Sequence, residues 1–92
     1  MKGIRIKSKN ATGDEAILQN KKETREAGFL KRQQLNAVYK VVYDDERPPF
    51  SLYIYSRSQY ITPALMKPIF YDLMKANGAE EGRDFEIIEV EK

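Results

Sequence analysis

The side chains best suited to chemistry in this chain are tyrosines and basic residues, and their spacing points to contact rather than catalysis. In the run 37–43 the odd positions carry Tyr39, Val41 and Tyr43. In 52–57 they carry Tyr53, Tyr55 and Arg57, while Leu52 and Ile54 take the other parity. Strand side chains alternate between faces, so a pairing of these runs predicts one aliphatic face and one tyrosine face. Arg5 and Lys7, which alternate with Ile4 and Ile6, would join the tyrosine side. The candidate binding residues are therefore Arg5, Lys7, Tyr39, Tyr43, Tyr53, Tyr55 and Arg57.

Three readings of that face compete. Tyrosine and arginine are enriched at protein interfaces, which makes a protein partner or a second copy of the chain the first expectation. The same set also suits single-stranded RNA or DNA. Bases stack on aromatic rings at about 1–3 kcal/mol each while cations hold the phosphates. Lys21, Lys22, Arg25, Lys31 and Arg32 would extend that basic footprint. The third reading is ordinary packing, because tyrosine favours strands in any setting. Lys40, on the otherwise aliphatic parity, speaks for this last reading, since it would put the tyrosine side in the core.

Catalysis by the usual groups has little to stand on. The chain has no histidine and no cysteine, so the commonest general base, zinc ligands and thiolates are missing. Asp44-Asp45-Glu46 is the one acidic cluster in the middle of the chain. Adjacent residues there point in different directions and Arg47 offsets the charge, so it reads as a solvated loop rather than a metal site. The glycines form neither a P-loop nor a dinucleotide-binding arrangement. The expectation is a protein that is not an enzyme and uses no cofactor and no metal.

The chain has 92 residues, of which 41% are hydrophobic and 33% charged, which fits a single domain over 1–92 with a modest core. No apolar stretch approaches the roughly 18 residues of a membrane span. The first residues lack the apolar core of a signal peptide, so a cytoplasmic location and no membrane partner are expected. The net charge of +2 divides unevenly, +6 over residues 1–40 and −4 over 41–92. Such asymmetry is compatible with a nucleic-acid contact or with halves that neutralise each other in the fold.

The elements that must position these residues follow from periodicity. Residues 3–9 read as a strand with Ile4 and Ile6 inward, and 10–13 as a turn. Thr12 and Glu15 have capping-box spacing. The eight polar residues 19–26 then leave 14–27 either a poorly amphipathic helix or an extended loop or hairpin. Strands are predicted over 35–43 and 51–57, separated by a loop that Pro48-Pro49 keeps out of any ladder. A register with Tyr43 opposite Tyr53 keeps each face uniform. The best helix starts at Thr62-Pro63 and ends before Gly78. Two apolar rows, Leu65/Ile69/Leu73 and Met66/Phe70/Met74, form its inner face, and Pro68 predicts a kink or a 3₁₀ first turn. A last strand covers 84–91. The fold class is α+β, a small, mostly antiparallel sheet with one or two helices on one face. If the uncertain segment is helical, the order becomes ferredoxin-like β-α-β-β-α-β. The resulting expectation is a small binding module that meets a protein or itself through the tyrosine face, with single-stranded nucleic acid as the alternative.

Overall fold

The computed structural model describes residues 2–26, 39–44 and 47–91, and for 20–26 the helical backbone alone. Among the described residues, four strands and two helices run in the order β1 (Lys2–Ser8), α1 (Ala11–Glu26), β2 (Tyr39–Asp44), β3 (Ser51–Ser56), α2 (Pro63–Ala76) and β4 (Phe85–Glu91). The strands form one antiparallel sheet in the order β2-β3-β1-β4. This is a small α+β fold, and the order of its described elements is compatible with the ferredoxin-like arrangement. Among the described residues no helix is long and apolar enough to cross a membrane.

Alternation works as expected in the central strands. Ile4 and Ile6 of β1 are fully buried, opposite Ile54 and Leu52 of β3. Phe85 and Ile87 of β4 join them, and α1 and α2 contribute Ala16, Ile17, Met66, Phe70 and Met74 to the same cluster. Both helices thus cover one face of the sheet. The ring of Phe70 meets Tyr39 edge-on, with centroids 5.4 Å apart at 79°, and so ties α2 to the outer strand β2.

The ambiguous segment is a helix, but its cap lies two residues before the capping-box threonine. The Asn10 side-chain oxygen accepts from Gly13 N–H at 3.0 Å, while its backbone carbonyl accepts from Asp14 N–H. Among its described side chains, Ala16 and Ile17 bear the apolar weight. Helix α2 starts as predicted. Thr62 accepts from Leu65 N–H at 3.3 Å. It ends with Gly78 N–H donating to Lys75 and Ala79 N–H to Met74, the paired bonds of a Schellman close. The helix runs through Pro68 without interruption. One expectation is corrected here: Met66, Phe70 and Met74 are buried, whereas Leu65 and Ile69 remain 57% and 46% exposed. Neighbouring helical rows diverge around the cylinder, and a flat sheet takes up one of them fully.

Asp84, 1% exposed, ties the two ends of the described chain together. Its carboxylate accepts from Arg83 Nη2 at 2.7 Å and Nε at 2.9 Å, from Glu80 N–H at 2.9 Å and from Asn10 Nδ2 at 2.7 Å. The Arg83 hydrogen bond is the main reason its pKa falls from 3.8 to about 2, against the opposing effect of burial. A depressed carboxyl pKa gives stability that is complete above the unfolded value and fades as pH falls through the folded one. The melting-temperature gap between wild type and Asp84→Asn should therefore be widest near neutral pH and shrink as pH falls from 3.8 toward about 2. A gap that stays constant down to that pH would contradict this account.

Candidate functional site

The second face of the sheet, which no described helix covers, is where Arg5, Lys7, Tyr53 and Tyr55 of the candidate binding residues collect. Registers across the strands arrange them in three rows. Lys40, Tyr55, Gly3 and Val90 form the first, Val42, Tyr53, Arg5 and Ile88 the second, and Asp44, Ser51, Lys7 and Glu86 the third. The middle row places a tyrosine and an arginine side by side with an aliphatic residue at each end. Val42 is 37% exposed and Ile88 40%, so an exposed aliphatic side chain flanks Tyr53 and Arg5 at each edge of the sheet.

Arg5 is held from three sides. Its Nη2 donates to Ser51 Oγ at 3.2 Å and lies 4.0 Å from the Asp44 carboxylate. Its guanidinium carbon is 5.2 Å from the centre of the Tyr53 ring. The ion pair is long and partly exposed, a geometry worth about 0–1 kcal/mol, and the ring contact adds a similar amount, about 0.5–1 kcal/mol. Neither dominates, but together they fix the side chain. Its Nε is buried without an acceptor among the described residues. Tyr53 in turn stacks on Tyr55, with centroids 6.2 Å apart and planes 8° from parallel. Tyr55 is only 7% exposed, and its ring lies over Gly3, where a β-carbon would stand 2.9 Å from Cδ1. The pair is thus a pre-packed aromatic unit.

The sequence-predicted site divides. Arg5, Lys7, Tyr53 and Tyr55 share this face. Tyr39 and Tyr43 do not. They pair with Ser56 and Leu52, one residue away from the expected register, and pack with the core on the helix side. Burial there raises the pKa of the Tyr39 hydroxyl. Lys40 was the signal: with β2 turned over, it lies on the same face as Val42 and Asp44. Arg57 falls beyond the end of β3, where it lines a separate cavity of about 470 Å³ with Lys2 and Thr62. Val42, Ile88 and Ser51 were missed. The adjacent pairs Val41-Val42 and Ile87-Ile88 carried the hint, since an apolar residue on both parities means both faces of a strand have apolar character. Residues 31, 32, 45 and 46 lie outside the described residues, as do the side chains of 21, 22 and 25. Among the described residues no group of three or more carboxylates is placed to hold a metal ion.

No family model matches the sequence, and no curated protein or solved structure matches it significantly.

Proposed function

We propose that this chain is a protein-interaction module that associates with a second copy of itself through the sheet face bearing Arg5, Tyr53 and Tyr55. The observation that carries this reading is the middle row, Val42, Tyr53, Arg5 and Ile88, on a face that no described helix covers. Tyrosine and arginine flanked by exposed aliphatic side chains are common energetic centres of protein interfaces. A two-fold contact would bring the same row to both sides of the interface.

Single-stranded nucleic acid fits the same face less well. A base needs a free ring surface, yet Tyr53 is already engaged by Tyr55 and Arg5, and Tyr55 is almost buried. The cations Lys7, Lys40 and Arg5 are also offset on that face by Asp44 and Glu86.

Sedimentation velocity over a concentration series tests the proposal. The wild type should show a monomer–dimer equilibrium that changes little with salt. Tyr53→Ala should weaken it by about 30-fold, the equivalent of a 2 kcal/mol interface centre. Ile88→Asp should abolish it while leaving thermal stability unchanged. A wild type that is monomeric throughout would refute self-association. Binding to random single-stranded RNA that weakens steeply with salt would transfer the face to the nucleic-acid reading.

A further inference from the structure

A cavity of about 740 Å³ opens between the last turns of α2 and the segment 78–85. That volume is within the range of small-ligand sites, about 300–1,000 Å³. Two rings line it: Tyr71 and the buried Phe85, with centroids 6.0 Å apart and planes tilted by 39°. The charged groups around them are Asp72, Lys75, Glu80, Glu81 and Arg83.

Arg83 is not available as an anion receptor. Its Nε and Nη2 are bound to Asp84, and its Nη1 lies 3.3 Å from Glu80. With that arginine neutralised, Asp72 and Glu81 face a single further cation, Lys75. Among the described residues neither Asp72 nor Glu81 takes part in an ion pair. The Tyr71 hydroxyl senses this acidity. Burial first, and then the charge of Glu81, raise its pKa. The wall is also stiff. Asp84 N–H donates to the Glu80 carbonyl, Gly82 N–H to the Phe85 carbonyl, and the Schellman bonds fix Gly78 and Ala79.

We propose that this cavity binds an organic cation, an ammonium or guanidinium group carried by a lysine or arginine side chain or by a small free amine. The faces of aromatic rings attract cations. Here the partly exposed Tyr71 ring would receive the group, while Glu81 and Asp72 balance its charge. An anion would meet two unpaired carboxylates, and a neutral apolar group would leave them without benefit.

The probes are n-butylammonium, n-butylguanidinium, a lysine-containing tripeptide, butyrate and n-butanol, titrated against protein with labelled aromatic rings and followed by NMR. Saturable shifts of the Tyr71 ring, with smaller ones passed to the adjacent Phe85 ring, are expected with the three cations and none with butyrate. Binding of n-butanol should be at least about three-fold weaker, the scale of one exposed cation–ring contact. Glu81→Gln should weaken n-butylammonium by about three-fold, the scale of one exposed charge pair. Glu91→Gln, on the far strand end, should leave it unchanged. A tripeptide that binds more tightly than n-butylammonium identifies the peptide side chain as the source, and equal binding identifies the free amine. The proposal is overturned if n-butanol binds as well as the cations. It is equally overturned if Glu81→Gln has no effect or if neither ring responds.

Discussion

Phe70→Ala is expected to remove about 3–5 kcal/mol of folding stability, the usual effect of deleting a fully buried aromatic side chain. Phe70 is 1% exposed and meets Tyr39, so the loss has two parts. One is the transfer of the ring out of water, and the other is the cavity left between α2 and the sheet. Domains of this size have only about 5–15 kcal/mol in hand, so the variant should approach the edge of folding. The damage should also be uneven. β2 is an outer strand, paired only with β3 among the described elements, and Tyr39 is its anchor in the core. Loosening it would also loosen Val42 on the binding face. Urea denaturation checks the size of the effect, and hydrogen exchange of the β2 amides checks its location. A loss below about 1 kcal/mol, the range of ordinary surface changes and mild repacking, would mean that Phe70 is not packed as described.

Gly13→Ala should destabilise the domain even though alanine is the better helix former. Intrinsic propensity favours alanine by about 0.8–1 kcal/mol. Against this, the new β-carbon would fall on the Asp84 carbonyl oxygen and stand 3.0 Å from both the Asp84 carbonyl carbon and Ser8 Oγ. The obstacle is backbone, which cannot rotate away, and overpacking of this kind costs about 1–3 kcal/mol or more. Relief requires the start of α1 to lift from the Asp84 turn, which would strain the Asn10 bonds to Arg83 and Asp84 as well. We expect a net loss of about 2 kcal/mol by thermal or chemical melting. Faster amide exchange should appear first at the start of α1. An alanine variant as stable as the wild type would show that the close approach of helix and turn is not a constraint.

What the sequence made legible, and what it hid, divides along physical lines. Parity within a strand is local, so Ile4/Ile6 and Leu52/Ile54 could be assigned to the core without any structure. Parity between strands is set by the connection, and the one between β2 and β3 contains two prolines that give no ladder position to count from. A shift of one residue there exchanged the faces of Tyr39 and Tyr43 while leaving Tyr53 and Tyr55 in place. Local caps were similarly readable where the partner lies within the same turn, as at Thr62. Asn10 was not readable, because what selects it over Thr12 is Asp84, distant in sequence and adjacent in space. The aliphatic edges of the proposed face were hidden for a related reason. Val42 and Ile88 stand beside core residues in the sequence, and only the sheet registers show them meeting Tyr53 and Arg5.

The place of β1 in the sheet has a consequence for the order in which the chain can be completed. Lys2–Ser8 is hydrogen-bonded to β3 on one side and to Phe85–Glu91 on the other. A chain growing from the ribosome has made both helices and three strands before β1 can acquire its second neighbour. Until then the strand carrying Arg5 has one open edge, and the turn around Asp84 that anchors α1 is not yet closed. Contacts between such distant segments are the slowest to form, because the entropy of closing the intervening chain is lost before they contribute. The β4 edge of the proposed face, with Ile88 beside Arg5, is therefore the part completed last, by the same residues that close the turn around Asp84.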